Sequence, residues 1–371
     1  MALTSLLLPP PRWRVLLPIT VLMLWPGLDH RIGGLGGHLL LFLLCGLGLL
    51  PLAIVLSQLV EALVSHLGAR LGGLISVIFG NVVELLVAVN ALNSGLYPLV
   101  VISIAGSVMI NCMPVLGLGI VLATRGEQPQ RINPHNQDLH TQQLTMSAIL
   151  LALPSVFYQQ AMGADLQGSS HADAFSLYST LVALLALTYY CLAFVVTLRR
   201  RQPPATTDIH DEAAASAVPL AVIVVALGVV TVLVAGISDR LVGALERLVS
   251  QSHLSELFVG LFLLPLFGCL PEALVGLKAA SRRQMQLLMT STVESSLQLL
   301  LFVLPLLVLL GIPMGRYLHL SLPPVALASL AIAVVMIERI TDNREVIWYE
   351  GVQLVILFGA MAAGSLLLIS P

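Results

Sequence analysis

Residues 79–92 read FGNVVELLVAVNAL, a stretch fit for a lipid bilayer except for Glu84. A charge at mid-bilayer is costly, between about 2.5 and well over 10 kcal/mol depending on the measure, so an intramembrane acid is read as functional by default. Residues 267–280 read FGCLPEALVGLKAA. Laid over the first stretch at an offset of 188, Phe79, Gly80, Glu84, Leu86, Val87 and Ala91 meet identical residues, and Glu84 falls on Glu272. The same offset, without a gap, places Ser107 of GSVMINCMPVLG on Ser295 of ESSLQLLLFVLP. Two polar landmarks in one register argue for an internal repeat.

The composition says what surrounds these acids. Of 371 residues, 58% are hydrophobic and only 10% charged, against about 25% charged in soluble domains. This implies an all-α polytopic membrane protein in contact with the lipid bilayer. With no basic patch beyond Arg199, Arg200 and Arg201, the net charge of -2 gives no sign of a nucleic-acid partner, and none is expected. Cys45, Cys112, Cys191 and Cys269 all sit in apolar runs, which reads as buried thiols rather than a disulfide framework. A membrane helix needs about 20 mostly apolar residues. By that criterion eleven spans are expected, near 13–29, 37–64, 71–93, 96–123, 143–161, 174–198, 217–236, 254–278, 285–311, 320–338 and 349–369. Arg12 and Arg14 ahead of VLLPITVLMLW resemble a signal peptide, but no cleavage-site pattern follows, so the run reads as the first span.

Lys and Arg accumulate on the cytoplasmic side. With the N-terminus inside, thirteen of the 17 basic residues fall in inner loops and only Arg31, Arg240, Arg247 and Arg316 in outer ones. An odd span count then puts the C-terminus outside. Span 71–93 runs outward and span 254–278 inward, so the two halves are inverted. The expected organisation is an N-terminal helix and first loop (1–36), a first five-helix repeat (37–198), a cytoplasmic linker (199–216) and a second repeat (217–371). Inverted repeats with a midplane site recur in secondary transporters.

Two carboxylates in such a site can hold a cation as oxygen ligands or take up protons. Ca²⁺ wants six to eight oxygens, and Asn81, Ser107, Asn111, Ser295 and Gln298 are the nearby donors. Gly80, Gly268 and Pro271 allow the helices to break and free backbone carbonyls. Competition between cation and proton at Glu84 and Glu272 is the expected coupling. Glu294, Glu61 and Asp239 are accessory candidates, for which helix-end solvation is an equal reading. Cys269 stands where Asn81 stands in the first half and reads as packing, because a thiol is a poor Ca²⁺ ligand.

These residues resemble the Ca²⁺/H⁺ antiporter family of the calcium/cation antiporter superfamily. Its pattern, a Gly-Asn-x-x-Glu helix followed by Gly-Ser-x-x-x-Asn, is matched by Gly80, Asn81, Glu84, Gly106, Ser107 and Asn111. LSELFVGLFLLPLFG (254–268), SSLQLLLFVLPLLVLLG (295–311) and WYEGVQLVILFG (348–359) are similar to family segments. The resemblance implies a ten-helix exchanger core plus one helix, with paired glutamates taking Ca²⁺ or protons in turn. It also implies a secondary transporter without cofactors and, together with the short loops, a bacterial inner membrane. Three features depart from the pattern: Cys269 replaces Asn, Glu294 replaces Gly, and the acidic stretch between halves shrinks to Asp208, Asp211 and Glu212. They keep a monovalent Na⁺ or K⁺/H⁺ antiporter as the alternative. A cation channel is more remote, since no TVGYG-type filter occurs, and no HExxH, GxSxG or P-loop pattern points to an enzyme or an ATP-driven pump.

Overall fold

The computed structural model describes residues 6–25, 34–124, 129–132, 134–163, 169–199, 218–251, 254–342 and 345–368. The helices are α1 (Leu17–Met23), α2 (Leu35–Gly80), α3 (Val82–Asn93), α4 (Tyr97–Ile110), α5 (Leu116–Ala123), α6 (Pro134–Gly163), α7 (Ser169–Arg199) and α8 (Leu220–Gln251). They continue with α9 (Glu256–Phe258), α10 (Leu264–Gly268), α11 (Leu270–Ser281), α12 (Met285–Gln298), α13 (Leu304–Gly311), α14 (Pro324–Asp342) and α15 (Trp348–Leu368). Two short strands, β1 (Gln130–Arg131) and β2 (Glu345–Val346), pair antiparallel. A 3₁₀ turn, Pro11–Leu16, leads into α1. π-Helical turns at Asn111–Val115, Val259–Leu263 and Leu299–Val303 join α4 to α5, α9 to α10 and α12 to α13.

Each of the eleven expected spans overlaps a helical segment. Among the described residues, seven helices are individually long and apolar enough to cross a membrane, and a bent pair, Glu256–Gly268 with Leu270–Ser281, makes an eighth. One boundary differs from expectation. The loop expected between 64 and 71 is helical, inside the 46-residue α2. Yet a side chain on Gly72 would run into Val64. Eight residues in a straight helix span about 12 Å, so the helix turns back on itself there, and the two spans survive without a non-helical loop. SHLGAR holds one glycine, Gly68, and no proline, so every residue there can keep its helical N–H bond. The linker 199–216 lies, apart from Arg199, outside the described residues.

The repeat holds at the level of element ends. α3, α4, the π-turn at Asn111 and α5 begin and end 188 residues before α11, α12, the π-turn at Leu299 and α13. The turns between the paired helices match too. Gly95 and Arg283 both take positive φ, 80° and 58°, and Leu96 N–H to Ala91 O is repeated by Gln284 N–H to Ala279 O, each at 3.0 Å. Arg283 adopts a conformation that a non-glycine residue enters only against steric resistance; shared turn geometry outweighs that preference.

By contacts the chain divides into two units that cut across the repeats. The first is Met1–Asn90 with Cys191–Ser252, and the second is Ala91–Tyr190 with His253–Pro371. In the first, α8 packs along α2, and α1 is fastened at both ends. Thr20 Oγ1 donates to Gly48 O at 2.9 Å, and Arg240 donates to the carbonyls of Met23 and Trp25, the latter at 2.9 Å. Those carbonyls lie at and just past the end of α1, where helix carbonyls lack intrahelical donors, and a cation suits that end of the dipole.

In the second unit α4 is buried from Leu99 to Ile110, as expected of a helix apolar all round. Its approach to the next segment depends on two residues. Pro265 has no N–H to give the carbonyl four residues earlier, Leu261, and its ring crowds that carbonyl; the π-turn relieves the clash. The Leu261 oxygen then lies against Gly106, where any Cβ would collide with it and with the Pro265 ring. α5 and α15 cross in the same way, with Gly117 and Gly351 each facing the other's carbonyl.

Basic side chains join loops within each unit. Arg131 Nε bonds Glu345 Oε1 at 3.2 Å beside the β1–β2 pair, joining two loops both expected inside. Arg316 donates to Tyr97 Oη at 3.4 Å, and Arg240 holds the end of α1; both contacts join segments expected outside. Residues 318–322 form an extended strap with Leu318, Leu320 and Leu322 buried. Ser179 and Ser155 accept from the Leu320 and Leu322 amides at 3.2 and 2.9 Å.

Candidate functional site

Each glutamate follows a helix break. α2 ends at Gly80, Asn81 leaves helical geometry (φ -111°, ψ 29°), and α3 starts at Val82. In the second half α10 ends at Gly268, Cys269 takes the break, and α11 starts at Leu270, bent by 63° from the preceding helix. Glu84 and Glu272 therefore both occupy the third residue of a new helix. The positive end of a helix dipole stabilises negative charge in its first turn, and the carbonyl end of the helix before it attracts cations. Such a break sets a carboxylate and a helix carbonyl end side by side, the two features that can attract a cation.

In the first unit Asn81 and Glu84 are buried. Leu85 N–H returns to Asn81 O at 3.0 Å, closing the first turn around the glutamate. Two turns on, Asn90 Nδ2 donates to Ala235 O of α8 at 3.2 Å and fixes the Glu84 helix against its neighbour.

In the second unit Ser107, Asn111, Ser295 and Gln298 are all buried and Glu272 is half-buried. The structure brings two of the expected donors together: Asn111 Nδ2 donates to Ser295 Oγ at 3.3 Å. The other carboxamide atom, Asn111 Oδ1, is buried with no hydrogen-bond partner among the described residues. A buried acceptor left so is costly, about 1–3 kcal/mol, and a cation satisfies it. One turn earlier, the Ser107 carbonyl accepts from Cys269 Sγ at 3.6 Å. Next to the pair, Cys112 Sγ and Ser296 Oγ lie 3.4 Å apart. Asn111 opens a π-turn, and Gln298 stands directly before one; such turns favour functional sites.

Three expected candidates differ from these in exposure. Glu294 is exposed although Ser295 beside it is buried, and Glu61 and Asp239 are exposed as well. Sequence reasoning passed over Cys112, Ser296 and the π-turns. The prolines Pro114, Pro265 and Pro305 inside apolar runs were the signal for the last of these. Cys269 does pack, with Ile110, Val115, Ala273 and Phe358, but its sulfur also reaches the Ser107 backbone.

Comparison with known proteins shows the family. The sequence profile of the sodium/calcium exchanger protein family matches residues 37–204 and 222–367. The chain is 28% identical over 355 residues to the Ca(2+)/H(+) antiporter of Synechocystis sp., covering 92% of this chain and 95% of that protein. It is 30% identical over 329 residues to the Ca(2+)/H(+) antiporter ChaA of Bacillus subtilis, covering 86% and 90% respectively. Among solved structures, native YfkE superposes with a TM-score of 0.76 at 25% identity, over 96% of this chain and 99% of that one.

Proposed function

Because the chain belongs to the sodium/calcium exchanger protein family, we propose that it exchanges Ca²⁺ for H⁺ by alternating access, with Glu84 and Glu272 binding cation or protons in turn. Membership makes it an integral membrane secondary transporter and not an enzyme, with cations as cargo rather than cofactors. The names of its relatives in Synechocystis and Bacillus subtilis support Ca²⁺ and H⁺ as the exchanged pair.

One observation carries the two-glutamate reading. The whole run of break, glutamate helix, buried helix, π-turn and short helix recurs 188 residues on with the same boundaries. A single structural acid needs no such twin. Asn81 is the donor beside Glu84, and Ser107, Asn111, Ser295 and Gln298 are the donors in the unit that holds Glu272; Ca²⁺ calls for six to eight oxygens. The empty site is unfavourable because carboxylates withdrawn from water, Glu84 fully and Glu272 in part, need a counter-charge or a proton, and that drives exchange rather than leak. The charge tally supports a cytoplasmic N-terminus and an outer C-terminus, and the short loops support a bacterial plasma membrane.

The test uses purified protein in proteoliposomes with an imposed pH gradient, offering Ca²⁺, Na⁺ and K⁺ separately. Proton-coupled Ca²⁺ flux, lost in both Glu84→Gln and Glu272→Gln, is the expected result. Flux with Na⁺ or K⁺ alone moves the chain to the monovalent alternative. Undiminished flux in either variant refutes the two-carboxylate mechanism.

A further inference from the structure

We propose that Glu294 is the first protein ligand a divalent cation meets on its way in from the cytoplasm, standing at the floor of a water-filled crevice along α12. The inference rests on the exchanger reading and adds a residue to it. One stripe of α12 reaches the surface: Leu287 is exposed, Thr290 and Ser291 are half-buried, and Glu294 is exposed. These positions share one helix face. The stripe stops there, since every residue from Ser295 to Leu301 is buried. Glu294 lies nine residues past Met285, about 14 Å along the helix, close to the middle of a hydrocarbon core about 30 Å thick. A carboxylate exposed at that depth faces water, because lipid contact there is costly. Among the described residues it has no ion pair or hydrogen bond.

Register carries the crevice to the site. α11 and α12 are joined by the turn at Arg283 and run side by side: a Cβ on Gly276 would lie 3.2 Å from Leu288 Cδ1 and 3.9 Å from Ser291 Oγ. One turn further from the connection come Glu272 on α11 and Glu294 with Ser295 on α12, so the two acids stand at one level. α11 has a stripe of its own, with Glu272 half-buried and Val275 and Lys278 exposed. Ser291 Oγ gives its proton to Leu288 O at 3.0 Å and keeps its lone pairs for a cation. The repeat mate of this face is shut. α4 is buried from Leu99 to Ile110, and the space beside Gly106, 188 residues before Glu294, is filled by the Leu261 carbonyl and the Pro265 ring. The mouth itself is basic, with Lys278, Arg282 and Arg283 exposed, so a cation gains nothing there and needs a carboxylate further in. Ca²⁺ binds through six to eight oxygens. Glu294 supplies one while most of the water shell is still in place, and the ion passes on to Ser295 and Glu272.

The experiment uses the full chain in a Cys191→Ser background, which removes the exposed thiol, with Thr290→Cys as reporter. Everted and right-side-out membrane vesicles are treated with a membrane-impermeant maleimide. We expect labelling from the cytoplasmic face alone, slowed by Ca²⁺, with the slowing lost in Glu294→Gln and kept in Glu294→Asp. Leu297→Cys, on the buried part of α12, stays unlabelled. In everted vesicles Glu294→Gln raises the KM for Ca²⁺ about tenfold, the scale of a bond to a charged group, and leaves the KM at the outer face of right-side-out vesicles unchanged. Failure of Thr290→Cys to label, labelling from the outer face, or protection by Ca²⁺ that survives Glu294→Gln overturns the proposal. So does an equal rise in KM at both faces. Protection is read on the Thr290→Cys chain itself, so its absence overturns the proposal whether or not Glu294→Gln folds. Protection that needs Glu294, without flux of any cation, upholds this role and sinks the exchanger reading; Ca²⁺/H⁺ exchange without protection does the reverse.

Discussion

Replacing Gly106 by alanine tests how the second unit is built. The added methyl meets the Leu261 carbonyl carbon and oxygen and the Pro265 ring. Two of those three atoms belong to backbone, so no rotamer change relieves the clash. Overpacking of this kind costs about 1–3 kcal/mol, while alanine in place of glycine gains about 0.8–1 kcal/mol of helix propensity. Gly228 supplies the control: it sits in α8, and a Cβ there has nothing within 4 Å. The propensity gain is common to both variants, so Gly106→Ala is expected to be about 1–3 kcal/mol less stable than Gly228→Ala. Both are unfolded with denaturant from detergent micelles and followed by fluorescence of the chain's 3 tryptophans. Pro265→Ala returns an amide donor to Leu261, so combining it with Gly106→Ala should cost less than the two changes separately, with a coupling above about 0.5 kcal/mol. Equal stability of the two alanine variants, or strict additivity with Pro265→Ala, refutes the reasoning that the proline-freed carbonyl fills the space a side chain would take.

Three further outcomes are expected. Asn111→Leu removes the buried oxygen that has no hydrogen-bond partner and weakens Ca²⁺ binding by about 1.5–3 kcal/mol, the usual worth of a bond to a charged group; calorimetry on the purified protein reads it. Arg240→Ala frees the carbonyl end of α1, so hydrogen–deuterium exchange at residues 17–23 accelerates while α4 amides stay protected. Burial holds the His319 imidazole below its ordinary value of 6.5. The unfolded chain then binds the proton more readily, and stability that is full above about pH 6.5 declines as pH falls below it; thermal melts at pH 7.5 and 5 show a smaller acid loss for His319→Phe, whose ring keeps the contact with Phe175 (5.4 Å between centroids).

Apolar run length is a physical requirement of the bilayer, and for that reason the spans were legible. The glutamate helices were legible because a carboxylate in such a run needs a reason, and its recurrence at one offset supplies it. What escaped was backbone detail. SHLGAR has a glycine but no proline, and nothing in its composition distinguishes a helical reversal from a loop. Pro114, Pro265 and Pro305 mark irregular turns, but whether a proline kinks, breaks or widens a helix depends on what packs against it, and Gly106 is distant in sequence from Pro265. Cys269 was read by chemical type alone, as packing; its reach to the Ser107 carbonyl depends on a bend that only the folded chain shows. The expected repeats are contiguous in sequence, whereas the contact units interleave, since packing follows proximity rather than chain order.

The π-turns also decide where the chain tolerates a change in length. A π-turn closes its hydrogen bond one residue later than an α-turn, so each holds one residue in reserve. Losing a residue between 299 and 303 lets the backbone tighten into ordinary helix, and α12 and α13 keep their faces. Losing one within α12 swings every later side chain by about 100° and takes the downstream face off its neighbours. Single-residue deletions are thus absorbed beside Asn111 and Gln298 and propagated elsewhere in the same helices, a pattern that a deletion scan along 285–311 would trace residue by residue.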